Sequence, residues 1–143
     1  MEKISPILAR KQYHFNSILS GCSLKEALHK MRCENTGYLI VVDDDDRFLG
    51  LLTEHEITGK ALLQKRSAEK ISVDELMNTN LPVASADDTV ERCMKLMCQH
   101  HVQQIPVFEE HHFRGIISSD DLLREVVLMR NEVFDDYKEE AIF

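Results

Sequence analysis

The sequence of 143 residues contains no tryptophan, only three prolines and only five glycines. The glycines are scattered, at Gly21, Gly37, Gly50, Gly59 and Gly115. Phosphate-binding loops of the Gly-x-Gly-x-x-Gly and Walker types need clustered glycines, because their backbone approaches the phosphates closely. The Gly-x-Ser-x-Gly turn that presents a hydrolase nucleophile is also absent. These absences exclude the common motifs of dinucleotide, nucleoside-triphosphate and ester-hydrolysing sites.

Basic side chains are scarce. The chain has 17 Lys and Arg against 25 Asp and Glu, a net charge of −8 and a pI near 5.3. A general nucleic-acid binder needs a basic face to displace counterions from phosphates, and anionic membranes attract basic segments. We therefore expect neither nucleic acid nor membrane as a partner. The acidity is concentrated in residues 81–143, which carry −7, whereas residues 1–80 carry −1. A small anionic ligand stays compatible with this charge, because a helix N-terminus or a few local cations can hold one.

Long hydrophobic runs are absent as well. The longest strongly apolar stretch, Tyr38 to Val42, is far shorter than the roughly 20 residues of a membrane-spanning helix. The N-terminus has a glutamate at once and no apolar segment of a secretory signal, so we expect a cytoplasmic protein with free thiols. No Cys-x-x-Cys pair occurs, and Cys93 and Cys98 are five residues apart on a predicted helix, so they do not share a face. We predict no metal site.

The chain contains an internal repeat. Two segments 66 residues apart carry apolar residues at i, i+3, i+4 and i+7, the pattern of one helix face. Each is followed by a short strand rich in β-branched residues, an acidic turn, a second strand and a helix start. The second strands are 65 residues apart, so the second turn is one residue shorter. The repeated segments are 23–31 and 89–97 (helix), 39–42 and 105–108 (first strand), and 48–53 and 113–118 (second strand).

The repeat divides the chain into five segments. The predicted segments are an N-terminal arm (1–15), a first repeat (16–66), a linker (67–80), a second repeat (81–128) and an acidic C-terminal tail (129–143). We expect the arm to be helical or extended and to pack on one repeat. The linker is expected to include a helical turn near residues 73–77, and the second repeat to begin with a short extended piece.

Together, the two copies resemble a tandem pair of cystathionine-β-synthase (CBS) domains, over roughly residues 16–128. The motifs that carry the resemblance are Leu24-x-x-Ala27-Leu28-x-x-Met31, Val41-Val42-Asp43 and Gly50 to Glu56 in the first copy, Val90-x-x-Cys93-Met94-x-x-Met97, His101 to Val107 and Gly115 to Asp121 in the second, and Glu75 to Thr79 between them. The resemblance implies an α/β fold of two repeats. Each repeat would be helix, strand, strand and helix with a short leading strand, and the two would pack around a pseudo-twofold axis. It also implies association into homodimers.

The resemblance further implies a regulatory module without catalytic residues. Such modules sense adenosine-containing ligands of the AMP, ADP, ATP, S-adenosylmethionine or NAD type in the clefts between the repeats, and need no other cofactor. In the family, a Gly-x-x-Ser/Thr-x-x-Asp segment holds the nucleotide. Its carboxylate accepts two hydrogen bonds from the ribose hydroxyls, and its hydroxyl and the following helix N-terminus face phosphate. In the second repeat this segment corresponds to Gly115, Ser118 and Asp121.

The resemblance places further candidate residues around the ligand. The base and the cleft wall are expected at Tyr38, Gln104, Ile105, Pro106 and Ile116. Pro106 indicates an edge position, because proline cannot donate a hydrogen bond within a central ladder. A weaker second cleft is expected at Gly37, Thr53, Glu56, Val83 and Gln103. It is weaker because Glu56 stands where the motif has aspartate, and the added methylene displaces the carboxylate oxygens.

Alternatives from local structure remain open. Ser118-x-x-Asp121 and Thr53-x-x-Glu56 are both capping-box patterns at a helix start, which need no ligand. Tyr38 is equally typical of a half-buried strand aromatic. If the two segments are only caps, the chain is a ligand-free CBS-pair interaction module that dimerises and docks an effector protein. An enzyme is disfavoured, because no paired catalytic motif is present.

The residues before the second-repeat strand bear on the charge of the ligand. Gln103 and Gln104 stand where many relatives carry a basic residue. Glutamine can hydrogen-bond a phosphate or a base edge but brings no charge. The loss of one charge-assisted contact costs roughly 1.5–3 kcal/mol. We therefore expect weak binding of polyphosphates and a preference for adenosine, AMP or a dinucleotide.

Overall fold

The fold is seen in a computed structural model that describes residues 2–11 and 16–128. The predicted acidic tail, 129–143, lies outside the described residues, as do residues 12–15 of the arm. The elements are α1 (Ser5–Arg10), β1 (Ser17–Leu19), α2 (Leu24–Glu34), β2 (Tyr38–Val42), β3 (Phe48–Thr53), α3 (Glu54–Glu56) with a π-helical turn (Ile57–Ala61), α4 (Val73–Leu76), β4 (Ala84–Ser85), α5 (Val90–His100), β5 (Gln104–Glu109), β6 (His112–Ser118) and α6, described from 119 to 128. None of the described helices has the length and apolar character to cross a membrane.

The contacts divide the chain into two units. The first-repeat unit is Tyr13–Leu81, and the second-repeat unit combines Met1–Gln12 with Pro82–Phe143. The N-terminal segment therefore belongs with the repeat that is farther from it in the chain. Each unit is a mixed helix and strand structure, as the sequence predicts.

Each unit contains a three-stranded sheet of the same topology. The strand orders are β1-β2-β3 and β4-β5-β6, with the first pair parallel and the second pair antiparallel. The antiparallel register is irregular at the equivalent place in both sheets, after Val41 and after Val107. Beyond it, Val42 lies opposite Phe48, whereas Phe108 lies opposite Phe113. The second hairpin is therefore one residue shorter, and the predicted change of offset from 66 to 65 is confirmed.

The helix stripes found in the sequence form the two cores, with one exception in each. Leu24, Ala27 and Met31 of α2 are buried against β2 and β3, and three equivalent residues of α5 (Val90, Cys93 and Met97) are buried in the other unit. The fourth residue of each stripe is not buried: Leu28 is 42% exposed and Met94 is 43% exposed. Both occupy the i+4 position at the edge of the helix face, where the small sheet does not cover them.

Each unit also contains a short segment that precedes the other repeat in sequence. Residues 2–4 pair with residues 88–90 through Ile4 N–H to Asp88 O (3.0 Å) and Val90 N–H to Glu2 O (2.9 Å). Residues 71–73 pair with residues 22–24 by the same two-bond pattern, at 2.9 and 2.8 Å. Behind these bonds, Ile4 and Ile7 enter the second-repeat core, and Val73 and Leu76 enter the first-repeat core. Residues 2–8 are thus the counterpart of residues 71–77, at an offset of 69.

In the first-repeat unit, the chain after α4 packs tightly on β3. Leu51 and Asn78 exchange two backbone hydrogen bonds of 3.1 and 2.8 Å. A Cβ at Gly50 would lie 2.9 Å from Met77 Sδ and 3.0 Å from the backbone oxygen of Asn78. Glycine at this position therefore allows the close approach of the two segments.

We predict that Gly50→Ala lowers the free energy of unfolding by about 1–3 kcal/mol, because a backbone oxygen must move to admit the methyl group. Gly59→Ala is the matched control. Gly59 lies in the π-helical turn with nothing within 4 Å of an added Cβ, so the change should raise stability by about 0.5–1 kcal/mol. Urea denaturation of both variants measures the difference. Equal stability of the two variants would contradict the close approach.

Candidate functional site

The turn from β6 into α6 is a capping box. The Asp121 N–H donates to Ser118 Oγ at 3.2 Å, and the Ser118 N–H donates to Asp121 Oδ2 at 2.9 Å. The Ser119 N–H donates to the Gln103 carbonyl at 2.8 Å, which ties the helix start to the residue before β5. The predicted cap is therefore confirmed in the second repeat, and it fixes the position of the Asp121 carboxylate.

A lysine from the N-terminal segment reaches the same carboxylate. Lys11, which follows α1, places Nζ 2.7 Å from Asp121 Oδ2 and 2.8 Å from the carbonyl oxygen of Ile116. The Lys11 side chain is 26% exposed and that of Asp121 only 12%. The neighbouring Arg10 pairs at 3.1 Å with the buried Glu125 of α6. The second-repeat unit thus pairs two cations of the N-terminal segment with two acids of one helix.

The pairing determines the protonation state of Asp121. Burial by itself raises the pKa of this carboxyl, but the hydrogen bonds from Lys11 and from Ser118 outweigh burial and hold the pKa below its usual value of 3.8. The group is therefore an ionised acceptor at neutral pH. Among the described residues, the hydrogen bonds of this carboxylate all go to Oδ2.

Several of the predicted second-repeat residues lie together. Gln104 is opposite Ser118 and Pro106 is opposite Ile116 in the β5–β6 ladder. Because side chains alternate along a strand, Pro106 and Ile116 lie on the sheet face opposite to Ile105, which belongs to the core cluster. Both are nevertheless buried, and Ile116 is only 1% exposed. The sheet holds these residues in a row that leads to the Asp121 turn.

β5 is the central strand of its sheet, but at Pro106 itself it has a strand partner on one side, so the expected edge position is confirmed locally. β4 has only two residues and pairs with Val107 and Phe108. Among the described strands, β5 therefore pairs only with β6 at Pro106, and the missing N–H breaks no ladder with β4.

The predicted residues of the second cleft are divided between the units. Gly37, Thr53 and Glu56 lie in the first-repeat unit, whereas Val83 and Gln103 lie in the second-repeat unit. Tyr38 also belongs to the first-repeat unit, half-buried and opposite Thr53. An open depression of about 660 Å³ on the second-repeat unit includes Val83 but neither Ser118 nor Asp121; its lining is Val83, Ala84, Ser85, Asp88, Arg92, Phe108, Glu110 and His111.

The first repeat has an acid in an arrangement similar to that of Asp121. Thr53 Oγ1 accepts the Glu56 N–H at 3.2 Å, and the Glu54 N–H donates to the Gly37 carbonyl at 3.1 Å. The Glu56 carboxylate pairs with Lys60 at 3.1 Å, and Lys60 Nζ also donates to the Leu76 carbonyl at 3.1 Å. Both candidate acids thus pair with an ammonium that is also bound to a backbone carbonyl.

Sequence reasoning missed both lysines, because it considered cations only next to the strands. Lys60 could have been found from its i,i+4 spacing to Glu56. Lys11 is 110 residues from Asp121 in the chain. To predict that Lys11 lies near Asp121, one would first have to recognise residues 2–7 as the counterpart of residues 71–76. The two segments are similar at only a few apolar positions. Within the described part of the chain, no group of three or more His, Cys, Asp or Glu could hold a metal ion.

Comparisons with known proteins agree on one family. The family model described as "CBS domain" matches residues 11–62 and 73–128. Hypoxic response protein 1 of Mycobacterium tuberculosis is 29% identical over 104 residues, which is 73% of each chain. A crystal structure of a CBS domain, NE2398, superposes with a TM-score of 0.83 at 27% identity, covering 89% of this chain and 99% of that one.

A third similar structure was solved with ligands. The CBS domain pair of protein MJ0100, in complex with 5′-methylthioadenosine and S-adenosyl-L-methionine, has a TM-score of 0.74 at 25% identity. The match covers 88% of this chain and 96% of that one.

We predict that Asp121→Asn makes the free energy of unfolding less dependent on pH in the acid range. A depressed folded-state pKa contributes stability that is present above the unfolded value of 3.8 and is lost as pH falls through the folded value. The wild type should therefore lose more free energy of unfolding than the variant between about pH 5 and pH 2. Urea titrations across this range measure the slopes. Asp120→Asn, at the exposed neighbouring position, controls for net charge, and equal slopes for all three proteins would contradict the pairing.

Proposed function

Because the chain belongs to the CBS domain family, we propose that it is a regulatory module that binds an adenosine-containing ligand, chiefly at the second repeat. The observation that carries the proposal is the Asp121 carboxylate. It is held ionised although its side chain is only 12% exposed. Its Oδ1 makes no hydrogen bond within the described part of the chain. An ionised oxygen without a partner in a nearly buried place is a strong acceptor for a sugar hydroxyl.

The surroundings of Asp121 supply the other groups that such a ligand needs. In the proposal, the Ser118 hydroxyl and the start of α6 bind the phosphate or carboxylate end of the ligand. Gln104, which lies opposite Ser118, hydrogen-bonds the base edge. Pro106 and Ile116, both of which are buried, and Ile105 on the opposite face of the sheet remain the candidates of this unit for the wall beside the base. The ligand acts as an effector, and no other cofactor is needed.

The first repeat would be the weaker of two sites. Glu56 is as little exposed as Asp121, at 13%. Its longer side chain reaches along the helix to Lys60, so its carboxylate is not held by the cap. A site that uses Gly37, Thr53 and Glu56 would therefore bind the ribose less tightly.

A ligand-free interaction module is the second candidate function. The observation that favours it is that both Ser/Thr-x-x-Asp/Glu segments cap a helix and both acids already have a lysine partner. Exposed apolar pairs that could contact another protein occur at equivalent positions of both repeats, at Leu62–Leu63 after the π-helical turn and at Val127–Leu128 in α6. Leu62 is 75% exposed, Leu63 is 87% exposed, and Val127 and Leu128 are 47% exposed each.

Further parts of the proposal concern the molecule's setting. We propose a homodimer formed through the CBS repeats, because the exposed apolar pairs recur at equivalent positions. An effector protein would read the occupied state. The acidic net charge disfavours nucleic acid and anionic membranes as partners, and we expect the protein to work in the cytoplasm and to have no enzyme activity.

Thermal melting with AMP, ADP, ATP, S-adenosylmethionine, NAD and NADH tests the proposal. A ligand at 100 times its Kd should stabilise the protein by about 2.7 kcal/mol, which raises Tm by several degrees. We expect AMP or S-adenosylmethionine to shift Tm more than ATP does. Asp121→Asn should abolish the shift relative to its own unliganded Tm, whereas Glu56→Gln should retain most of it. No shift from any of the six at millimolar concentration would support the interaction module, and loss only in Glu56→Gln would move the site to the first repeat.

A further inference from the structure

We propose that the ammonium of Lys11 is itself a ligand-binding group, and that Lys11 and Asp121 together recognise the two hydroxyls of a ribose. The inference rests on the proposed function and adds a binding residue to it. In the family's motif, the aspartate accepts hydrogen bonds from both ribose hydroxyls. The structure assigns the second contact to a side chain 110 residues away in the chain.

The Lys11–Asp121 pair leaves one N–H donor and one carboxylate oxygen for a ligand. A lysine ammonium has three N–H donors, and Lys11 Nζ has two acceptors in the described residues, Asp121 Oδ2 and the Ile116 carbonyl. Asp121 Oδ2 accepts from Lys11 and from the Ser118 N–H, which leaves Oδ1. One N–H donor and one carboxylate oxygen therefore stand side by side, joined by a contact of 2.7 Å.

The two neighbouring hydroxyls of a ribose match a hydrogen-bond donor that lies beside an acceptor. Each hydroxyl of a ribose both donates and accepts a hydrogen bond. One hydroxyl can donate to Asp121 Oδ1 while the oxygen of its neighbour accepts from Lys11 Nζ. Both contacts are charge-assisted, which makes them about twice as strong as neutral hydrogen bonds. A carboxylate with both oxygens free could accept from both ribose hydroxyls, and no lysine donor would be needed.

The burial of the Lys11–Asp121 ion pair disfavours displacement of Lys11 by a ligand. The Asp121 side chain is 12% exposed and that of Lys11 is 26% exposed. Removing one partner of a largely buried ion pair leaves an uncompensated charge, which is strongly unfavourable. A sugar hydroxyl is neutral and cannot replace the ammonium charge. A ligand therefore binds more favourably next to the intact ion pair than in place of Lys11.

In the first repeat, too, a lysine ammonium contacts both the candidate acid and a backbone carbonyl. Lys60 Nζ contacts both Glu56 Oε2 and a backbone carbonyl, that of Leu76. Lys60 comes from the helix that carries the acid, whereas Lys11 comes from the N-terminal segment. The second-repeat position equivalent to Lys60, at the offset of 65, is Glu125, an acid that itself pairs with Arg10. The second repeat therefore obtains its ammonium from another part of the chain.

Binding of AMP, 2′-deoxy-AMP and 3′-deoxy-AMP, measured by calorimetry well below Tm, tests the inference. Lys11→Met should weaken AMP binding by about tenfold to a hundredfold, the range of one charge-assisted hydrogen bond. The variant should also lose most of its discrimination against one of the two deoxy analogues, because one hydroxyl no longer has its partner. Lys25→Met, which removes an exposed lysine paired with Glu69 in the other unit, is the matched control and should bind all three as the wild type does.

A second variant guards against loss of folding. Lys11→Arg keeps the charge and the ion pair but moves the donors, so it should retain the wild-type Tm and still change the ratio of affinities for the two deoxy analogues. Unchanged ratios in this folded variant would overturn the inference.

The other outcomes separate the two proposals. Tighter AMP binding by Lys11→Met would show that Lys11 competes with the ligand, and unchanged binding would show that Lys11 does not contact it. Either result would overturn the inference and leave the proposed function intact. An equal weakening for AMP and both deoxy analogues would show a purely structural role and also overturn it. If the wild type binds S-adenosylmethionine or NAD but not AMP, the inference fails while the proposed function stands. If the wild type binds none of the six ligands in the melting experiment, both fail.

Discussion

Neither CBS repeat of this protein contains its entire core. Each unit is completed by a segment that precedes the other repeat, joined by the same two backbone bonds and by two apolar side chains. The candidate site depends on this exchange. Lys11 reaches Asp121 because α1 is bound to the second-repeat unit by Ile4, Ile7 and the Arg10–Glu125 pair. The charge at the site is therefore set by a part of the chain that contains none of the family's motifs.

The Asp121 turn shows that a helix cap and a ligand site are compatible. The cap uses Oδ2 and the backbone of Ser118, and it holds the carboxylate in one orientation. Lys11 keeps that carboxylate ionised in a place where burial alone would favour protonation. A binding group fixed by packing and neighbouring hydrogen bonds loses little entropy when a ligand arrives. The capping pattern is thus a reason for Asp121 to bind well, and does not argue against it.

Much of the fold could be predicted because it repeats. The offset of 66, its change to 65 and the strand composition determined the helices, the hairpins and the helix starts. The helical turn near residues 73–77 and the packing of the arm on one repeat were predicted. The correspondence of segments 2–8 and 71–77 was not predicted, since they share little beyond an apolar residue at Ile4 and Val73 and another at Ile7 and Leu76. Pro106 could be assigned to a local edge because proline has no N–H to donate, but the sequence did not show that its strand is central in the sheet. At the site, the capping residues were readable from local spacing, whereas the cation was not, because only the folded chain brings Lys11 to Asp121.

The exchanged segments also impose an order on folding during synthesis. The first-repeat unit ends at Leu81, so all of its parts are available as soon as that residue has emerged. The second-repeat unit needs residues that are made before the first repeat, whose partners lie as far as 110 positions later. At rates of roughly 5–20 residues per second, the N-terminal segment waits several seconds for its binding surface. During that time Ile4 and Ile7 have no core to enter, and closing so long a loop is slow. Residues 2–11 are thus made before the first repeat but can pack only after the second repeat has been made.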